Sequence, residues 1–533
     1  MCATLLCLIL CIVLSLDAFK HNNFVFVKNG VEYAFVGDIN EAGSDIYVSG
    51  YRVNKENVVI PDEIDGHPVV YVGHGAFRGN VHIRNIRFEG KIDIEQDAFD
   101  GCSNLESVNF ENVISVGHNA FRDCISLREV RSSSLEKIEG YAFENCDDLQ
   151  TVEITRSRDL QWIELGDCAF SNCRSLKTIR IEPLIDYPDF FGSSLFYNCY
   201  FTENVYLNNF QYFGETPGEV SEYDSLSLVF GGIAPKNSLR TLQLENMDCI
   251  PEYFCEGYSN LCSVTVGHLT SPVVGKYAFS SCVSLSEIDL PTITEVHEGA
   301  FTETKLSSFD GRSLTSIGDS AFAFCPELES FDLSENRSLT NVGAWVFEGC
   351  LALRSVELPE TVEQIGTAAF RSCSSLEEII FPENLRFIGD HAFDGCTALE
   401  SIVIPDDTEY IGDGAFFACG SLSDITLPFI GNTREGGEPF LHVFSGLSDE
   451  KYTVTVTLAS VLGADAFNGC ARLQAVYLPD TLTDIGTAAF KDCRTLTTID
   501  LPDSLEKIGD EAFMNCGYLS RLTLPGSLRS IGV

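Results

Sequence analysis

The residues whose type and spacing could do chemistry are the cysteines. Fourteen of them lie three residues after a phenylalanine: Cys102, Cys124, Cys146, Cys173, Cys199, Cys282, Cys325, Cys350, Cys373, Cys396, Cys419, Cys470, Cys493 and Cys516. Thiols at a fixed interval could be nucleophiles, soft-metal ligands or disulfide partners. A nucleophile needs an adjacent base, and no histidine recurs at a matching offset. A metal ladder would need paired Cys-x-x-Cys spacing or accompanying histidines, and neither occurs. Disulfides between successive units are close enough in reach, but stacked side chains point the same way, against the required S–S dihedral. The same position is Asn80 in one unit and Thr304 in another. A position that accepts Cys, Asn or Thr reads as a compact buried group facing backbone at a turn, since free cysteine behaves as a small hydrophobe with a weak donor.

Other chemistry is sparse. Cys168 precedes its Ala-Phe pair, and Cys249, Cys255 and Cys262 cluster in "MDCIPEYFCEGYSNLCSV" as a candidate disulfide group. No G-x-S-x-G elbow, P-loop, G-x-G-x-x-G or H-E-x-x-H occurs, and the nine histidines are scattered. The expectation is therefore no enzyme, no catalytic residue and no cofactor. Two acidic rows should stack: Glu360, Glu383, Asp406, Asp480 and Asp503 after a proline, and Asp319, Asp390, Asp413 and Asp510 after a glycine. Hard cations could relieve their repulsion. Solvated acids on turns are the plainer reading, and no metal ligand is assigned. Asn336, in Asn-Arg-Ser, is a candidate glycosylation acceptor in a eukaryotic host.

These residues are placed by a repeat. An Ala-Phe pair marks Phe77, Phe99, Phe121, Phe143, Phe170, Phe279, Phe301, Phe322, Phe347, Phe370, Phe393, Phe416, Phe467, Phe490 and Phe513, with weaker markers at Phe196, Phe230, Phe254 and Phe444. Within one unit, "SLEEIIF" alternates apolar Leu376, Ile379 and Phe381 with exposed residues, predicting a short strand with one buried side. Pro382 stops it, because proline has no ladder donor. Leu385 to Ile388 predicts a second extended piece, closed by Gly389, where positive φ would suit a tight corner. "DHAFDGC" predicts a helical or 3₁₀ turn with Phe393 pointing in. Such faces cannot bury a core alone but can when stacked. About 18 coils at about 4.8 Å each would make a body roughly 90 Å long.

Composition agrees with an extracellular rod. The formal net charge of −44 opposes nucleic acid and anionic lipid as partners. Ala3 to Leu16 is an apolar run of signal-peptide length, followed by no segment able to span a membrane. The expected organisation is a signal peptide over 1–18 and an N-terminal entry or capping segment over 19–75. A solenoid fills 76–533, with irregular coils or insertions near 183–250 and 429–460.

"LPETVEQIGTAAFRSCSSLEEII" resembles the BspA-like leucine-rich repeat found in bacterial and protist surface proteins. "NVVIPDEIDGHPVVYVGHGAF" is similar to the entry segment of such arrays, and "LPFIGNTREGGEPFLHVFSG" to their recurrent insertion. The resemblance implies a curved leucine-rich-repeat solenoid of short parallel β-strands with helical or 3₁₀ turns, and a role in binding. It supplies no ligand and no catalytic residue. Function is then expected on the outward strand positions, which vary from unit to unit: Glu377, Glu378, Ile380, Glu400, Val403, Asp424, Thr426, Tyr477, Asp500 and Arg521. The expected partner is an extracellular protein or glycan at a cell surface or in secretion. A structural, self-associating component is the alternative, since "LRSIGV" stops midway through a coil and leaves an open edge for self-association.

Overall fold

The computed structural model describes residues 25–36, 44–52, 54–155, 163–182, 194–208, 235–434, 438–447 and 450–533. The marker Phe230, the apolar leader and most of the 183–234 insertion lie outside these residues. The chain forms two compact units, one of residues 1–248 with 263–268, the other of 249–262 with 269–533.

In the first unit, Val25–Lys28, Val31–Phe35 and Ile46–Tyr51 form an antiparallel meander. Ile46–Tyr51 then pairs in parallel with His67–Val72, which begins the stack. Parallel pairing continues through Ile92–Ile94, Val113–Val116, Lys137–Ile138 and Glu164–Leu165. A second parallel ladder holds Glu129–Ser132, Thr151–Ile154, Thr178–Ile181, Asn204–Asn208, Thr241–Glu245 and Ser263–Val266. The second unit repeats the arrangement. Its short strands stack as Asn341–Val342, Gln364–Ile365, Phe387–Ile388 and Tyr410–Ile411. Its longer ones include Ser401–Val403, Asp424–Leu427, Tyr452–Val456 and Leu473–Tyr477. Each unit is a parallel β-solenoid, and both are built by the same alternation: Ile379 and Ile402 are buried while Glu378, Ile380, Ser401 and Val403 face water.

The marker phenylalanines form the core. Phe77, Phe99, Phe121, Phe143, Phe170 and Phe196 stack with centroids 5.0–5.5 Å apart. In the second unit Phe347, Phe370, Phe393, Phe416 and Phe444 stack at 5.1–5.2 Å. Phe440 bridges Phe444 to Phe467, so the 429–460 region carries the core across rather than leaving it.

Two expectations about the corner are corrected. It is not helical. Among the described residues, helix is confined to the 3₁₀ turn Phe110–Asn112 and the single α-turn Phe440–Val443. In "DHAFDGC", alternate N–H groups close turns within the coil, from Ala392 to the Gly389 carbonyl and from Cys396 to that of Phe393. The intervening groups cross to the next coil, from His391 to Asp413, Phe393 to Ala415 and Gly395 to Phe417, at 2.7–2.9 Å. A helix would direct all its N–H groups along its own axis and leave none for the neighbour. Left-handed residues break that direction: His391 has φ 54° and Gly395 φ 78°. Gly389, by contrast, does not have positive φ. A Cβ there would lie 2.5 Å from the Thr367 nitrogen, so glycine is required by close approach of the coil before it.

The left-handed sites yield a first prediction. Ala418 has φ 56° at the position held by Gly349, Gly395 and Gly469 in other coils. An L-residue pays a steric penalty there that glycine avoids. Ala418→Gly should raise stability by about 0.5 kcal/mol, the strain relief exceeding the added unfolded-state entropy. An unchanged or lowered urea midpoint would contradict it.

Candidate functional site

The cysteine column is structural. Cys124, Cys146, Cys173, Cys350, Cys373, Cys396, Cys419 and Cys493 are buried at 0% exposure. Each donates its S–H to the carbonyl of the marker phenylalanine one coil earlier: Cys124 to Phe99 at 3.2 Å, Cys373 to Phe347 at 3.1 Å, Cys396 to Phe370 at 3.2 Å. The substitutes serve the same turn. Asn80 Oδ1 accepts the His82 and Ile83 amides, and Thr304 Oγ1 donates to the Phe301 carbonyl. Burial raises these thiols far from reactivity: Cys102, Cys419 and Cys470 are pushed up to about 12, and Cys325 to about 11. Thiolate, not thiol, is the nucleophile.

The off-column cysteines differ. Cys255 is buried beside Phe254, and its carbonyl accepts the Cys282 thiol at 3.0 Å. Cys249 is half-buried, whereas Cys262 is exposed and donates to the Asn260 carbonyl. Brief iodoacetamide treatment of the native protein at pH 8 should modify Cys262 within minutes and leave Cys373, Cys396 and Cys419 unmodified. Peptide mass mapping reads this directly, and labelling of the column at the rate of Cys262 would refute its burial.

The second acidic row is used within the stack. Three of the four carboxylates accept the amide that follows the next coil's glycine: Asp319 from Ala344 at 2.8 Å, Asp390 from Asp413 at 2.9 Å, Asp510 from Val533 at 3.1 Å. Asp413 instead meets Asn432 Nδ2 at 2.8 Å and His442 Nε2 at 2.7 Å. In the first row, Glu360 accepts the Glu383 amide and Asp406 accepts the Thr457 hydroxyl. Glu360, Glu383, Asp406, Asp480 and Asp503 are exposed. Asn336 is a correction. It is 5% exposed and its Nδ2 donates to the Gly311 and Leu314 carbonyls at 2.9 Å. Its Oδ1 accepts the Ser338 and Leu339 amides. It locks the turn before Leu339, and the folded chain does not present this amide for glycosylation.

The strand face of the second unit holds the sequence-predicted contact residues. Val403 pairs with Thr426, Thr426 with Thr455, and Thr455 with Tyr477, so these four form one outward column. Ile380 pairs with Glu357 at the same strand position in a separate two-stranded ladder. Ile380, Val403 and Tyr477 are 53%, 65% and 52% exposed. Glu377, Glu378, Glu400, Asp424 and Asp500 are exposed around them. Asp424 is engaged by the hydroxyls of Ser423 and Thr453, each at 2.8 Å. Arg521 is exposed but lies outside any strand, so the ladder does not reach it. Sequence reading missed Thr453 and Thr455 because their strand sits in the irregular region. The alternation Tyr-Thr-Val-Thr-Val over 452–456 was the available signal. It also missed Arg180, whose guanidinium stacks 4.1 Å over Tyr206 on the first unit's strand face.

The sequence matches, in six copies, the model described as the BspA type leucine rich repeat region, over residues 51–159, 114–217, 248–375, 340–436 and 442–533. No curated protein matches it. Among solved structures, a leucine-rich repeat protein from Bacteroides ovatus is 24% identical, covers 95% of this chain and 90% of its own, and has a TM-score of 0.36. A leucine rich cell surface protein from Faecalibacterium prausnitzii is 18% identical over 92% and 95%, with a TM-score of 0.23. A leucine rich repeat protein from T. pallidum is 20% identical over 49% and 90%, with a TM-score of 0.24. No helix among the described residues is long and apolar enough to cross a membrane. With the family model matching most of its length, and the matched repeats folding as stacked parallel coils, this chain belongs to the BspA-type leucine-rich repeat family.

Proposed function

We propose that the chain is a secreted or cell-surface binding protein without catalytic activity, and that the strand face of the second unit holds a protein partner. The observation that carries this is the exposure of Ile380, Val403 and Tyr477 at one outward strand position. Burying large apolar side chains contributes about 1.5–3 kcal/mol each, a contribution the free protein forgoes at all three positions. Glu357, Glu377, Glu378 and Glu400 surround them, so the matching surface is apolar with basic residues at its edge. Rigid ladders hold the face, which limits the ordering entropy lost on binding. The apolar run Ala3–Leu16 supports export, and the family resemblance supports a surface location.

The test is a binding screen of the full chain against extracellular proteins and glycans, repeated with Ile380→Ser/Val403→Ser/Tyr477→Ser. A partner found by the parent should bind the triple variant at least about tenfold more weakly, equivalent to about 1.4 kcal/mol. The variant's circular dichroism and melting should be unchanged. Equal affinity for both proteins would remove this face from consideration. Self-association of the parent without any partner, measured by light scattering, would favour the structural role instead.

A further inference from the structure

One coil of the second unit is shorter than its neighbours. Leucine follows the marker phenylalanine by six residues in Phe279–Leu285 and Phe322–Leu328, but by five in Phe301–Leu306. The same coil has Gly311 where Leu290 and Leu333 stand in the flanking coils. The short strands remain in register across it, Val273 with Glu295 and Glu295 with Ser316. The corner also holds, with Phe279 N–H on the Ala300 carbonyl and Phe301 N–H on that of Ala321, both at 2.8 Å.

The longer strands do not hold. Ser308–Asp310 pairs with Ser330–Asp332, while Glu287–Asp289 lies in a different sheet from both. The short coil leans toward its successor: Phe309 stacks on Phe331 at 5.6 Å, and a Cβ on Gly311 would meet the Phe331 ring at 2.7 Å. A cleft of about 660 Å³ opens on the other side, lined by Ile288, Leu290, Pro291, Phe309, Asp289 and Glu335 among others. Ile288 and Leu290 point inward but are only half-buried, whereas the equivalent Phe331 and Leu333 are buried. The lining is mixed: apolar Ile288, Leu290 and Pro291 lie beside Thr292, Ser308 and Ser313, and the rim is charged and mainly acidic. Arg312, the cation of the rim, is spent: it grips Asp310 through both Nε and Nη2 at 2.9 and 2.6 Å and reaches Asp332 at 3.5 Å. Asp289 and Glu335 are exposed and have no ion-pair partner among the described residues.

We propose that this cleft seats an aliphatic side chain of a partner peptide, with flanking lysine or arginine on Asp289 and Glu335. An apolar insert completes the burial of Ile288 and Leu290 that the short coil leaves undone. The two unpaired carboxylates select a cation beside it and exclude an acidic peptide. The site is separate from the column at Ile380, Val403 and Tyr477, and its test does not depend on that column.

The test uses the full chain and three capped, fluorescein-labelled peptides read by anisotropy: Gly-Lys-Leu-Lys-Gly, Gly-Lys-Ser-Lys-Gly and Gly-Glu-Leu-Glu-Gly. The first should bind saturably and the other two at least about tenfold more weakly. Ile288→Trp fills the cleft and should abolish binding. Asp289→Asn/Glu335→Gln, on exposed positions that cannot disturb the core, should weaken it about tenfold. Tyr477→Ser should leave it unchanged. The proposal fails if the first peptide does not bind, if all three bind alike, or if the Asp289→Asn/Glu335→Gln variant binds as the parent does.

Discussion

Gly412→Ala should destabilise the second unit by about 3 kcal/mol or more, although alanine adds only one methyl group. The added Cβ would lie 2.3 Å from the Asp390 nitrogen and 2.4 Å from the Gly389 carbonyl carbon. Both are backbone atoms of the preceding coil, so no side-chain rotation relieves the overlap. The coils cannot separate locally either. Gly412 N–H is bonded to the Ile388 carbonyl at 2.8 Å, and His391 N–H to the Asp413 carbonyl at 2.9 Å. Relief requires breaking those ladder bonds or tilting a coil away from the Phe393–Phe416 stack. Gly420→Ala is the internal control: a Cβ there meets nothing within 4 Å, and φ is not positive. It should change stability by no more than about 0.5 kcal/mol. Urea unfolding of both variants reads the comparison, and equal midpoints would mean that the glycine row does not set the coil spacing.

The second large effect is alkaline instability. Burial pushes column thiols up from an ordinary value of 9.0, to about 12 for Cys419 and Cys470 and about 11 for Cys325. Cys350, Cys373 and Cys396 are raised by the same cause. Well below pH 9 the thiols are neutral in both states and contribute no pH dependence. Between pH 9 and the folded values, the unfolded chain loses protons that the folded chain keeps. The unfolded state then binds fewer protons, so stability falls as pH rises. At pH 10 Cys325, Cys419 and Cys470 each remove about 1.4 kcal/mol, together about 4 kcal/mol. That is a large share of ordinary domain stability. Urea midpoints between pH 7.5 and 10, under reducing conditions, should fall steeply for the parent. The Cys373→Ala/Cys396→Ala variant should begin lower, because two small cavities are opened, and lose less stability over the same interval, because two of the raised thiols are gone. A flat pH profile for the parent would show that the column is not held as neutral thiol.

The repeat made much of this legible. A one-dimensional stack places equivalent residues on one another, so a sequence period identifies the phenylalanine core, the cysteine column and the outward strand positions without knowledge of any distance. Weak markers such as Phe196, Phe254 and Phe444 were readable for the same reason, and each is buried in the core. Asn336 misled because the tripeptide was read apart from its place in the coil, where the side chain bonds the Gly311 and Leu314 carbonyls of the coil before. Arg521 misled because period alone does not say where ladder pairing ceases.

What the sequence by itself determined is which residues share a face and which share a column. Alternation and period decide that, and both are local properties of the chain. What only the tertiary structure decided is how closely each coil lies against the next. Gly389 and Gly412 are glycine because of backbone atoms some twenty residues away, not because of their own φ. The cleft at Ile288 lies beside a coil one residue short, whose Phe309 stacks on Phe331 of the next coil. Spacing between coils is a balance of two sets of contacts, and no single unit of the repeat contains both.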